Sequence, residues 1–245
     1  SYAIRTEVII KPKHMNKNHL TAFVFFLCCL LNQETVAQTK GKSLVIHSIA
    51  GFNAPQLGEL NTVLANEGLP QFKDFYFTRG GGFYTIFPKA RLASLFNFAT
   101  FSGTKTTGDQ SNWLRSTQVG TSLGFDATKS ETVQVIPFAG LNYSFFGARV
   151  SADDVSNTSF NNYFGSAANQ YHVSSNQFMG HLGLHISKVG IGEKRLLQKI
   201  VVGLRAGYYL PLGDSKWKSN NNALSNGPNI NPGGVYASFL LGLQQ

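Results

Sequence analysis

The stretch QFMGHLGLHIS, Gln177 to Ser187, decides how the chain is read. Its two histidines, His181 and His185, invite a metal or catalytic site, and so does the His-x-Ser at its end. Its alternation says otherwise. Gln177, Met179, His181, Gly183, His185 and Ser187 fall on one face of an extended strand, while Phe178, Gly180, Leu182, Leu184 and Ile186 fall on the other. Four residues of strand span about 13 Å at roughly 3.3 Å each, so the two imidazoles cannot share one metal ion.

The same two-faced pattern returns along the chain. In LRSTQVGTSLGF, Arg115, Thr117, Val119, Thr121, Leu123 and Phe125 oppose Leu114, Ser116, Gln118, Gly120, Ser122 and Gly124. In KIVVGLRAGYYL, Ile200, Val202, Leu204, Ala206, Tyr208 and Leu210 oppose Val201, Gly203, Arg205, Gly207 and Tyr209. VYASFLLGL closes the chain in the same manner. These criteria give eight strands, roughly 42–51, 74–87, 91–104, 113–126, 132–149, 174–187, 198–210 and 233–245. Most are ten or more residues long, against about five or six for an ordinary strand and about nine to eleven for a tilted membrane-spanning one.

The connections sharpen this. Long ones, 52–73, 105–112, 150–173 and 211–232, alternate with shorter ones, 88–90, 127–131 and 188–197. Such alternation suits a barrel with one end in the periplasm and the other outside. SADDVSNTSFNNYFGSAANQ and GDSKWKSNNNALSNGPNINP carry the asparagine, serine and glycine of solvated loops. Within the first long connection, Leu57, Leu60, Val63 and Leu64 have helical spacing and Gly68 and Pro70 follow, so a short amphipathic helix is expected over about 55–67. It is read as a cap on the barrel mouth, with a plug or a partner-binding helix as the alternatives.

From Met15 the chain reads MNKNHLTAFVFFLCCLLNQETVAQ: a basic start at Lys17, an apolar run from Leu20 to Leu31 broken only by Thr21, then polar residues down to Ala37. That is the order of a secretory signal peptide, and the run is shorter than the roughly 20 residues of a spanning helix. The expected organisation is an untranslated or non-native segment at 1–14, a signal peptide at 15–37 and one domain at 38–245. Both cysteines, Cys28 and Cys29, lie in the apolar run, so the exported domain is expected to hold no disulfide and no thiolate ligand.

Only 13% of the 245 residues are charged, about half the usual share, while glycine and phenylalanine number 25 and 20. From Gln38 onward 17 Lys and Arg face 10 Asp and Glu, a net charge of +7. Anionic lipid or polysaccharide suits that balance, and nucleic acid is not expected as a partner of an exported protein.

At this point the chain resembles the small eight-stranded outer-membrane β-barrels of the OmpA-transmembrane-domain and OmpX kind, in its signal peptide, strand count, loop alternation and stretches such as VIPFAGLNYSFFG and GLRAGYYLPLG. The fold class implied is all-β, an antiparallel transmembrane barrel of about eight strands with a short helix in the first long loop. The resemblance implies a location in the cell outer membrane, contact with outer-membrane lipid and lipopolysaccharide, insertion by the barrel-assembly machinery, a monomer, and an interior packed with side chains. It implies a non-enzymatic structural or surface-interaction role, with an extracellular ligand reached through the loops. A small pore or passive transporter is the alternative, with a lipid-modifying barrel enzyme ranked behind it.

Gln118, Gln177, His181, His185 and Arg205 are the expected lumen-facing polar residues, with no cofactor, metal ligand or catalytic residue among them. His185-x-Ser187 is similar to part of the His-Ser-Glu site of barrel enzymes that deacylate lipid A, but the nearest acid, Glu193, falls in an expected turn. TRGGGFY, Thr78 to Tyr84, lacks the helix and Lys-Ser pair of a phosphate cradle, so its glycines are expected to relieve crowding or to make a bulge. Phe75, Tyr76, Phe77, Tyr143, Phe145, Tyr208 and Tyr209 are expected at interface girdles, and Tyr163, Phe164 and Trp217 on loops.

Overall fold

Long two-faced strands need partners on both edges, and closing the sheet on itself supplies them all. The computed structural model describes residues 43–151, apart from 109, 129 and 131, and residues 170–245. The expected upstream segment and signal peptide lie outside the described residues, as do Tyr163, Phe164 and most of the loop from 150 to 173. The strands are β1 (Ser43–Gln56), β2 (Tyr76–Phe87), β3 (Leu92–Thr107), β4 (Gln110–Phe125), β5 (Val133–Ser151), β6 (Gln170–Val189), β7 (Ile200–Pro211), a short hairpin β8 (Trp217–Ser219) and β9 (Asn222–Leu224), and β10 (Asn231–Gln244). The helix α1 (Gly58–Asn66) lies between β1 and β2.

Among the described residues, eight antiparallel strands close in the order β1-β2-β3-β4-β5-β6-β7-β10, with β10 returning to β1. The register fixes the stagger. Starting at Val45, paired residues run through Tyr84, Leu95, Ser122, Gly140, His181, Tyr209 and Gly234. One step beyond the Ala54–Val235 pair this path regains β1 at Pro55, ten residues above Val45. Ten residues of stagger over eight strands give a tilt of about 40° at roughly 3.3 Å per residue and 4.8 Å per strand. A barrel of this size has an interior that side chains alone can fill.

Outward positions carry the oil. Ile46, Phe52, Phe77, Leu123, Leu141, Phe178, Leu204, Phe239 and Leu241 are all exposed. Together they form an apolar belt about ten residues of tilted strand high, about 25 Å, which is the height of a bilayer's hydrocarbon core. No described helix is long and apolar enough to cross a membrane.

The two ends differ. At the turn end lie Ser43, Gln245 and the connections β2–β3, β4–β5 and β6–β7. At the loop end, β1–β2 pairing stops at Asn53–Tyr76 and β6–β7 pairing at Met179–Pro211, but β3 to β6 continue to Thr107–Gln110 and Ser151–Gln170. They form a wall above one half of the rim. The expected loop at 105–112 is therefore a tight hairpin, with Gly108 at φ 59 in a conformation glycine adopts without strain.

The glycines of TRGGGFY do not make a bulge, since the β1–β2 and β2–β3 registers run through Gly80, Gly81 and Gly82 without a shift. A Cβ at Gly80 or Gly82 would run into the carbonyl oxygen of Phe98 or Phe96. Relief of crowding is what they provide.

The wall supports a second core. Leu57, Leu60, Leu64, Phe72, Tyr76, Phe101, Leu114, Phe146, Ala148, Val150, Trp217 and Ile230 bury one another across the mouth. Each large side chain there contributes about 1.5–3 kcal/mol of burial. Trp217 meets Phe146 edge-on at 5.9 Å and donates to Pro228 O at 2.7 Å. Asn61 of α1 donates to Phe72 O and accepts from Phe72 N, and Glu59 accepts from Asn229 N at 2.7 Å. Thus α1 caps the mouth; Val63, expected on its buried stripe, is instead 46% exposed.

Candidate functional site

Gln118, Gln177, His181, His185 and Arg205 all point into the lumen and are buried. The structure divides them among three levels. Nearest the turn end, His185 and Arg205 are register partners on β6 and β7. Arg205 Nε and Nη2 lie 3.4 and 3.3 Å from His185 Nδ1, and Nη2 is 3.3 Å from His47 Nε2.

A guanidinium can only donate, so His185 Nδ1 is the acceptor and the proton of a neutral ring sits on Nε2. That proton points at Ser187 Oγ, 3.0 Å away. Ser187 in turn donates to Gln134 Oε1 at 3.0 Å, where Tyr84 also donates at 3.0 Å. A histidine that offers the serine a proton cannot take one from it, and the place of an orienting carboxylate belongs to Arg205. Glu193 stands in the β6–β7 turn, where its backbone oxygen accepts from Gln198. The His-x-Ser pair therefore belongs to a hydrogen-bonded chain and is not poised for hydrolysis.

At mid-height His181 is held on every side. Its Nδ1 bonds Ser122 Oγ at 3.1 Å and its Nε2 bonds the Tyr236 hydroxyl at 2.7 Å, while Tyr209 stacks on it at 4.4 Å and Phe138 meets it edge-on at 4.9 Å. Tyr209 and likewise Tyr76, expected at an interface girdle, are buried; Phe75, Phe77 and Phe145 face outward. Among the described residues no three His, Cys, Asp or Glu side chains gather to hold a metal ion.

Toward the loop end the lumen holds backbone. Gln118 Nε2 and Ser116 Oγ donate to Pro232 O at 3.1 and 3.2 Å, and Gln177 Nε2 donates to Ile230 O at 3.1 Å. The segment from Ile230 to Gly233 thus dips into the barrel from the β10 side to meet β4 and β6. Asn231 anchors it by donating to Tyr209 O at 2.6 Å and accepting from the backbone N–H groups of Gly233 and Gly234. Gly234 makes the exit possible: its φ is 59, and a Cβ there would run into Ala54 O.

Sequence reasoning did not single out His47, Tyr84, Gln134 or the in-turned segment. For His47 the signal was present, since it shares a face with Val45 and Ile49 in SLVIHSIA. For the segment the only hint was NPGG, Asn231 to Gly234, which reads equally well as the end of a solvated loop.

No family model and no curated protein sequence matches the chain. Solved structures do. A major outer membrane protein from Thermus thermophilus aligns at 12% identity over 84% of this chain and 100% of that one, with a TM-score of 0.51. Ail, the attachment invasion locus protein of Yersinia pestis, aligns in complex with the heparin analogue sucrose octasulfate at 11% identity over 84% and 98% of the two chains, with a TM-score of 0.45. A second structure of Ail aligns at 13% identity over the same shares, with a TM-score of 0.42. At these identities the Thermus likeness speaks for the fold alone, and it agrees with the closure, stagger and apolar belt: in fold, this chain belongs with the small eight-stranded outer-membrane β-barrels.

Proposed function

We propose that the protein is a non-enzymatic, monomeric outer-membrane barrel that works through its loop surface, with the loop end outside the cell and the turn end in the periplasm. One observation carries this reading. The mouth is closed twice, by α1 above and by Ile230–Gly233 within, while the lumen below is filled by the packed cluster of Val45, Tyr84, Leu95, Ile136, Phe138 and Leu240. What the barrel offers its surroundings is then its outside and its rim.

The belt meets outer-membrane lipid, lipopolysaccharide included, and the barrel-assembly machinery inserts the chain. The rim would take an extracellular ligand. Beside the β8–β9 hairpin a groove of about 530 Å³ is lined by Asp214, Lys216, Trp217, Lys218, Leu224 and Asn226, where two lysines outnumber one carboxylate, a surface suited to a polar partner of net negative charge. No cofactor enters this reading.

Two measurements test it together. The processed protein should fractionate with outer membranes as a band whose gel mobility shifts on heating, and the purified barrel should pass no steady current across a planar bilayer. Sustained conductance would favour the small pore instead, and changed lipid A in overexpressing cells would favour an enzyme.

A further inference from the structure

The apolar belt is interrupted in one sector. On β2, β3 and β4, toward the loop end, the outward positions between the aromatics Phe77 and Trp113 are Arg79, Thr100, Ser102, Arg115 and Thr117. On the other strands Phe52, Phe145, Phe178, Leu210 and Val235 face outward toward that end, with Gln56, Arg149 and Asn176 beyond them nearer the loops. What sets the β2–β4 sector apart is that two arginines and a threonine pair stand side by side there.

The register groups these side chains. Arg79 pairs with Thr100, Thr100 with Thr117, and Ser102 with Arg115. The arginine Cα atoms are then about 12 Å apart, two strands over and two residues along, which two extended guanidinium side chains can bridge from either side. Both line one groove of about 320 Å³ on the outer surface, floored by Thr100 and Ser102 and walled by Phe77 and Trp113. Thr100 Oγ1 bonds Thr117 Oγ1 at 2.9 Å and Ser116 O at 3.1 Å, which fixes the floor.

Neither guanidinium has a hydrogen-bond or ion-pair partner among the described residues. The described carboxylates, Glu59, Glu67, Asp74, Asp126, Glu193 and Asp214, all lie off the barrel strands. A guanidinium facing hydrocarbon is costly unless it reaches the interface or meets an anion, and its planar fork fits phosphate oxygens two at a time. The aromatic walls suit the boundary between acyl chains and headgroups.

We propose that Arg79 and Arg115, with the Thr100–Ser102 floor, form a binding site for a phosphate of an outer-leaflet lipopolysaccharide molecule, its acyl chains lying along the adjacent belt. This rests on the proposed seating of the loop end in the outer leaflet. The site would fix one lipid against the β2–β4 sector and hold the barrel's height in the membrane.

The test uses the whole barrel refolded into phosphatidylcholine vesicles containing lipopolysaccharide, the same lipopolysaccharide after dephosphorylation, or neither. Trp113 emission reports occupancy in a Trp217→Phe background. Arg79→Gln/Arg115→Gln should weaken the response to lipopolysaccharide about tenfold or more, as loss of charge-assisted hydrogen bonds implies. Lys188→Gln, outward at the turn end, should leave it unchanged, and dephosphorylated lipid should bind the unaltered barrel as weakly as the double variant binds the intact one. Equal binding by the double variant, or equal binding of the dephosphorylated lipid, overturns the site. Heat-shifted gel mobility confirms that each variant is folded. Fractionation of the protein away from outer membranes would overturn the seating by itself, while the vesicle result still decides the site.

Discussion

Gln118 on β4 reaches across the lumen and donates from Nε2 to the carbonyl oxygen of Pro232, 3.1 Å away. With Ser116 it holds one backbone carbonyl in the middle of a barrel, where water has little access. Gln118→Leu leaves that carbonyl to Ser116 alone and should cost about 0.5–1.5 kcal/mol, the net worth of one hydrogen bond, read as a lower urea midpoint for unfolding. The freed segment should also let brief current spikes through a planar bilayer; an unchanged midpoint would show that the contact holds nothing.

The proton placement around His185 is testable directly. Ring nitrogen-15 spectra should show the Nε2–H tautomer for His185, and a proton on Nδ1 would contradict the bonds from Arg205. Ser187→Ala should leave lipid A unchanged in cells that overexpress the protein, because the serine takes its bond from the histidine and passes none to it.

The cap has an inner and an outer side. Leu60→Ala removes a buried anchor of α1 and should destabilise by about 2–5 kcal/mol. Val63→Lys, on the exposed side, should stay within about 0.5 kcal/mol. Hydrogen exchange of the α1 amides separates the two, and equal protection in both variants would mean that the helix is not seated as described.

Gly234 and Gly58 should respond oppositely. Gly234→Val forces a β-branched residue to φ 59 and toward Ala54 O, so the heat-shifted folded band should fall sharply. Gly58→Ala, with open space at its Cβ and a helical position, should be neutral or gain about 0.4–1 kcal/mol. A folded band for Gly234→Val as strong as the native one would refute the need for glycine there.

Much of the barrel was legible because alternation is local. Leu182, Leu184 and Ile186 announce an oily face without reference to any other strand, and the eight segments found on that basis are the eight strands of the barrel. Where strands stop was harder to read: Lys105 to Asn112 has loop-like composition, yet pairing across Thr107 and Gln110 carries it past the belt. Nearness to a strand end misleads for Tyr209: alternation puts it on the face of Arg205, where it lies among His181 and Tyr236, yet its position suggests an interface girdle. Least legible was Ile230–Gly233, because its partners Ser116, Gln118 and Gln177 lie more than fifty residues away and nothing in NPGG names them.

The seam between β1 and β10 pairs Val45 with Gln244, about 200 residues apart, so its contacts form only after most of the chain has been gathered. The strand that closes this seam is entered directly from the segment lodged in the lumen. Completion and stoppering are therefore expected to coincide, with no finished hoop waiting open for its contents. In a Trp113→Phe background the Trp217 signal, which reports the seated mouth, should appear in the same kinetic phase as the compact gel form, and a separable later phase would show that the hoop closes first.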